Sequence, residues 1–281
     1  MDWTTLFNAL LIRELELSPG ASPRLREALL YAARSPGKRL RPRFVRESGL
    51  RLGLVEPAID LCGIAVEAVH LFSLIHDDLP ALDNDDFRRG LPTVHKKFDE
   101  GTALLAGDEL LNLAYSFLIR ASTAAHASNS RLPTALGFFS SCIGGEGMIG
   151  GQMLELELLQ NGAAADLPAL LKIQDLKTGA LFRASLITPA LLAGESPDSD
   201  RCRELEAYSR AFGFAFQIAD DLEDELQDEK TARKNILSLL GREAAIDLAI
   251  RDLRSLEISK AFTPTDYLLK RLESARLQSK T

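Results

Sequence analysis

Two runs of carboxylates stand out in this 281-residue chain. The first is His76-Asp77-Asp78-Leu79-Pro80-Ala81-Leu82-Asp83-Asn84-Asp85-Asp86, and the second is Gln217-Ile218-Ala219-Asp220-Asp221-Leu222-Glu223-Asp224-Glu225. On a helix Asp220 and Asp224 are four residues apart and Asp221 and Asp224 three, so they share a face and repel one another. Both runs fall at or near the C-terminal ends of periodic stretches, where the helix dipole disfavours anions. A sequence that accepts both penalties twice calls for cations. Hard oxygen donors suit Mg²⁺, which takes one or two carboxylates and completes its shell with water and substrate phosphate. Acidic runs at helix ends are also the ordinary look of a solvated surface.

Basic residues stand close to these runs in sequence. Gly37-Lys38-Arg39-Leu40-Arg41-Pro42 puts three cations in a short turn ahead of a helix, and Arg88-Arg89-Gly90 follows the first acidic run directly. Lys177-Thr178-Gly179 lies in an apolar region, where a lysine is costly without an anion. In a chain of net charge −7, cations set beside paired aspartates suit metal-bridged phosphates. Arg39 and Arg43 read as solvated surface. The negative balance argues against nucleic acid and anionic membrane as partners.

The elements that must position these groups are helical. The chain is 46% hydrophobic and 26% charged, and its apolar set is mostly Leu and Ala, a helix-forming palette. Apolar residues recur at helical spacing, and strict alternation is hard to find. Helices are predicted over 3–17, 23–34, 42–52, 57–78, 102–121, 132–158, 168–176, 178–193, 200–226, 233–240, 243–257 and 265–277. Ser22-Pro23, Glu56-Pro57, Asp166-Leu167-Pro168 and Thr263-Pro264 mark starts, and Pro80 must end the helix holding Asp77 and Asp78. The linkers are short, so residues 1–281 read as a single domain. Gly144, Gly145, Gly147, Gly150 and Gly151 interrupt a helical run, either for close helix packing or for room beside a ligand. Met1–Leu17 lacks the order of a signal peptide, and Asp60, Glu67 and His70 interrupt the most apolar stretch, so no membrane span is expected. Three scattered cysteines, Cys62, Cys142 and Cys202, fit a reduced, cytoplasmic protein.

The motifs, in order, resemble the trans-isoprenyl diphosphate synthases, and most of all the bacterial farnesyl diphosphate synthases. They are GKRLRP (37–42), HLFSLIHDDLPALDNDDFRRGLPTVHKKF (70–98), LLAGDELL (104–111), GGQMLELE (150–157), KTGALFRA (177–184) and FGFAFQIADDLED (212–224). The resemblance implies an all-α fold of the isoprenoid synthase type, one large helical bundle around a central cavity, with the two acidic clusters facing each other across its mouth. It implies head-to-tail condensation of isopentenyl diphosphate with dimethylallyl or geranyl diphosphate, giving farnesyl diphosphate, by a homodimer. By position, Asp77, Asp78, Asp83, Asp220 and Asp224 would hold Mg²⁺, about three ions in this family. Arg88, Lys177, Thr178 and Gln217 would hold the allylic diphosphate. Lys38, Arg41, His70 and Arg89 would form the isopentenyl diphosphate pocket.

Phe72, with Ser73 beside it, would set product length: it lies five residues before Asp77, about 7.5 Å along the helix. Phe72 reads equally as core. A geranylgeranyl diphosphate synthase and a non-catalytic subunit of the same fold are the alternatives. The chain departs from the family pattern after Asp224, where its loop is about a dozen residues shorter and Lys230, Arg233 or Lys234 would have to supply a missing cation. Glu155 stands where the family usually has Asp, and Glu223 and Glu225 add acidity to the second cluster.

Overall fold

A computed structural model describes residues 2–18, 22–126, 131–160, 166–227 and 235–278. Among these, the fold is helical apart from one small hairpin. The chain divides into two compact units. One comprises Met1–Arg46 and Leu54–Ala127, the other Glu47–Gly53 and Ser128–Thr281.

The first unit holds α1 (Trp3–Leu17), α2 (Pro23–Arg34), the start of α3 (Leu40–Arg51), α4 (Glu56–Asp77), the strands β1 (Phe87–Arg88) and β2 (Leu91–Pro92), α5 (Val94–Lys97) and α6 (Glu100–Ala124). Helices α2 and α6 begin where the sequence offers caps: Ser22 accepts from the amide of Leu25 with Pro23 behind it, and Asp99 accepts from the amide of Thr102 at 2.6 Å. α4 runs along α6 and buries Ile64, Val66, Val69 and Phe72 among them. Both helices are long and apolar enough to cross a membrane by length and composition. Most of α4 is covered by protein, as suits a core helix.

The hairpin was not foreseen from the sequence. Phe87 pairs with Pro92 and Arg88 with Leu91. Its two-residue turn is Arg89-Gly90, both with positive φ (54° and 79°), the signature of a type I′ turn. Two-residue strands are too short to show alternation, so only the glycine could have signalled them.

The second unit holds the end of α3, then α7 (Arg131–Ile143), α8 (Met148–Gln160), α9 (Leu167–Gln174), a π-helical turn (Asp175–Gly179), α10 (Ala180–Ala193), α11 (Asp200–Gln227), α12 (Ile236–Leu240), α13 (Arg242–Ser255), a 3₁₀ turn (Glu257–Ala261) and α14 (Thr263–Gln278). Tyr208 is fully buried at its centre, stacked 5.0 Å from Phe262 and hydrogen-bonded to Thr265.

Two expectations are corrected here. The helix expected over 132–158 is two helices, broken at 144–147. A Cβ on Gly144 would sit 2.9 Å from the carbonyl oxygen of Ser140, so the chain turns where three of its four residues, Gly144, Gly145 and Gly147, carry no side chain. The break expected at residue 177 is absent. α9 and α10 run on through the π turn as one helical length, Leu167–Ala193.

Candidate active site

In the first unit, α4 ends at Asp77 and the chain folds back at once. Pro80 forbids further helix, and the amide of Asp83 donates to the carbonyl of Asp77 at 2.9 Å. The Asn84 amide closes on Leu79 at 3.1 Å, with Asn84 itself in the left-handed region at φ 54°. The turn through Pro80-Ala81 therefore brings Asp83 beside Asp77. Asp77 is half-buried and Asp83 exposed.

Asp78 differs from both. It is buried, and it takes Arg88 of the hairpin through Nε at 2.6 Å and Nη2 at 2.5 Å. Burial raises its carboxyl above the ordinary value, and Arg88 pulls the other way. Arg88 also meets Asp85 at 3.2 Å, and the surrounding carboxylates raise its own pKa against the effect of burial. A cleft of about 400 Å³ open to solvent lies here, lined by Tyr31, Leu71, Ile75, Asp78, Arg88 and Val94 among others.

Beside this lies a basic pocket, also in the first unit. His70 is half-buried, and its pKa is lowered well below the usual value, first by burial and then by Arg41 and Arg89. Burial and the neighbouring guanidinium groups both disfavour its charged form. Arg89 reaches Gly37, where a Cβ would stand 2.8 Å from its Nη1. Lys38 is exposed on the adjoining turn.

Arg39 corrects the sequence reading. It is buried rather than solvated and pairs with buried Glu67 of α4. It also donates to Asn8 at 2.8 Å and to the carbonyls of Ala33 (2.8 Å) and Ser35 (3.2 Å). With φ 48° it holds the turn that presents Lys38 and Arg41. Arg43 is half-buried, bonded to Thr4 and over the ring of Trp3 at 5.2 Å. Phe72 is buried and meets the ring of His76 edge-on at 4.9 Å, while Ser73 donates to the His70 carbonyl.

In the second unit, Lys177 and Thr178 lie on the π turn, wedged between two glycines of neighbouring helices. A Cβ on Gly151 of α8 would overlap the Lys177 amide nitrogen and stand 2.8 Å from its Cα; one on Gly213 of α11 would stand 3.2 Å from the Gly179 Cα. Of the two readings of the glycine run, close packing holds at Gly151. A single π turn inside an α-helix frequently marks a functional site. Asp175 anchors the turn, taking Arg183 at 2.7 Å and Arg210 at 3.6 Å. Lys177 Nζ meets Glu155 at 2.5 Å, and Thr178 donates to Gln174 at 3.3 Å.

On α11, Gln217 donates to Asp221 at 2.6 Å. Asp220, half-buried, lies 3.4 Å from Arg271 of α14, which also meets Glu223 at 2.5 Å and the Ala219 carbonyl at 3.1 Å. Arg271 carried no sequence signal, because nothing in its own helix marks it. The Asp224 side chain and residues Lys230, Arg233 and Lys234 lie outside the described residues.

Among the described residues no three His, Cys, Asp or Glu side chains are gathered to hold an ion by themselves. An ion at Asp77 and Asp83, or at Asp220, would complete its shell with water or phosphate oxygen, which fits Mg²⁺.

Residues 22–240 match the family model described as polyprenyl synthetase. Among curated proteins the chain is 45% identical over 169 residues to farnesyl diphosphate synthase of Escherichia coli, covering 60% of this chain and 56% of that one. The chain thus spans a little over half the length of that relative. Among solved structures, the geranyltransferase of Legionella pneumophila is similar with TM-score 0.84 at 30% identity, covering 99% of this chain and 96% of that one. The FPP/GFPP synthase of Zymomonas mobilis is similar with TM-score 0.78 at 36% identity, covering 95% and 94%.

Proposed function

We propose that this chain, which belongs to the polyprenyl synthetase family, joins isopentenyl diphosphate head to tail to an allylic diphosphate, dimethylallyl or geranyl, with farnesyl diphosphate as product. The observation that carries the proposal is the fold-back at Asp77–Asp83 beside Arg88, with the His70, Arg41 and Arg89 pocket next to it in the same unit. Arginines in a partly buried site suit diphosphate oxygens. The family match runs from 22 to 240 and so draws on both units, which supports reading them as one working domain.

Asp77, Asp78, Asp83, Asp220 and Asp224 would hold the metal, which we take to be about three Mg²⁺ ions. When bound, Mg²⁺ neutralises charge on the departing diphosphate. Arg88, Lys177, Thr178 and Gln217 would add fixed positive charge and hydrogen bonds where that charge develops, the arrangement that stabilises a transition state most. Lys38, Arg41 and Arg89 would hold the second diphosphate, with His70 as a neutral hydrogen-bonding group. Phe72, and Ser73 beside it, would limit chain growth below Asp77.

The free, buried Cys62, Cys142 and Cys202 suit a reducing compartment, and we place the protein in the cytoplasm. On α6, Leu104, Leu105 and Ile119 are exposed, and a second copy would cover them in a homodimer.

Incubating the purified protein with Mg²⁺, isopentenyl diphosphate and each allylic diphosphate, then sizing the products, tests the reading. A C15 product supports it, and a C20 or C25 product moves the assignment to a longer-chain synthase. Diphosphate release without isopentenyl diphosphate, or no turnover with any pair, overturns it.

A further inference from the structure

The segment after the hairpin carries a hydrogen-bonded chain that neither the acidic loop nor the basic pocket absorbs. Thr93 is buried and binds the acidic loop twice: its amide donates to the Asp86 carbonyl at 3.0 Å and its hydroxyl to the Asp85 carbonyl at 2.8 Å. A carbonyl oxygen only accepts, so the hydroxyl proton is committed there. Nδ1 of His95 lies 3.0 Å from the same hydroxyl oxygen and must be the donor. The geometry therefore places a proton on Nδ1 of His95. His95 is itself buried, and its Nε2 has no hydrogen-bond partner among the described residues.

The pinned carbonyls belong to residues whose side chains hold the neighbouring cations. Asp85 takes Arg88 at 3.2 Å, and Asp86 takes Lys96 at 2.9 Å. Where Thr93 sets this stretch of backbone, Arg88 and the loop from Asp83 follow. We propose that His95, acting through Thr93, is a positioning residue for the first acidic cluster, holding Asp83 and Arg88 ready for the metal-bound diphosphate. The proposal rests on the prenyl-transfer reading for its purpose but not for its geometry.

The test compares His95→Phe, which fills the space without a donor, with His95→Asn, whose amide can donate from the Nδ1 position. Thr93→Val and Thr93→Ser form a second such pair. Three measurements are made: the His95 tautomer from a ¹H–¹⁵N spectrum of the wild type, Mn²⁺ binding by electron paramagnetic resonance with inorganic diphosphate present, and condensation kinetics. We expect the proton on Nδ1. His95→Phe and Thr93→Val should raise the Mn²⁺ concentration for half-saturation about 10-fold, as the loss of one buried hydrogen bond would. His95→Asn and Thr93→Ser should stay within about 2-fold of wild type. With metal saturating, kcat should fall while KM for isopentenyl diphosphate holds.

An Nδ1 without a proton, or equal Mn²⁺ binding by the Phe and Asn variants, overturns the relay. If His95→Phe does not fold, the threonine pair and the tautomer decide. Mn²⁺ binding and the proton position need no turnover, so a wild type that binds metal and condenses nothing sinks the proposed activity while those two measurements still decide the role of His95.

Discussion

The two acidic clusters share a motif, yet the fold treats them differently. The first sits at a helix end and in the turn beyond it, with buried Asp78 locked to Arg88 and the other aspartates arranged by backbone hydrogen bonds. The second rides on one continuous helix. Asp220 is seven residues before the last residue of α11, about 10 Å along the axis. That is beyond the last turn, where a helix dipole acts, so the dipole penalty borne by Asp77 and Asp78 does not reach Asp220. The second faces chiefly the repulsion of its own neighbours, which Arg271 of α14 offsets. Equal motifs thus do not mean equal electrostatics: one site is preorganised by a buried pair, the other by a borrowed cation.

The sharpest way to break this comparison is to neutralise each arginine in turn. Arg88→Met should lower kcat/KM by about 10²–10³-fold. It leaves Asp78 buried without its partner, which should cost about 2–4 kcal/mol of stability by denaturant unfolding. Arg271→Met meets partners that are far more exposed, Glu223 at 51% and Asp220 at 36%. Its stability cost should be no more than about 1 kcal/mol, with an activity loss of about 10-fold. Equal costs at the two sites would end the distinction drawn here.

A glycine exchange sharpens it within the second unit. Gly151→Ala drives a methyl group into the Lys177 backbone and should cost about 1–3 kcal/mol and displace the π turn. Gly137→Ala on α7 meets nothing within 4 Å and should raise stability by about 0.5–1 kcal/mol instead. Melting curves and kcat for the two variants distinguish a packed glycine from an incidental one.

These contrasts also show which parts of the molecule were legible in the sequence. Helix starts at Ser22-Pro23 and Asp166-Leu167-Pro168 were readable because a cap and its proline are local. The turn at Pro80 was readable for the same reason. Arg39 was misread because its burial depends on Glu67, 28 residues further on, and on a positive φ that no neighbour announces. The π turn was hidden because the glycines that admit it, Gly151 and Gly213, lie on other helices. Aspartates and basic blocks could be nominated from sequence, but not the pairing of Asp78 with Arg88 or of Asp220 with Arg271.

At Phe72 the expected effect is first on product length. The ring is buried and braced on His76. Phe72→Ala should lengthen the main product beyond C15, read by chromatography of the dephosphorylated prenols, and lower stability by about 3–5 kcal/mol if the space stays empty. An unchanged product length removes Phe72 from that role.

The smallest effect is the response to pH, and it belongs to the basic pocket. His70 has a folded pKa well below 6.5, set first by burial and then by Arg41 and Arg89. Below pH 6.5 the unfolded chain takes up a proton at this residue that the folded chain refuses. Its contribution to stability is therefore complete above pH 6.5 and is lost as pH falls towards the folded value. The slope is at most about 1.4 kcal/mol per pH unit for one proton. Asp78 has the opposite sign: its raised carboxyl pKa makes its contribution decline as pH climbs above 3.8. Urea unfolding of wild type and His70→Asn at several pH values below 6.5 should show a shallower slope in the variant. Parallel slopes would mean that His70 is charged in the folded protein, and the reading of a neutral imidazole among arginines would fall with it.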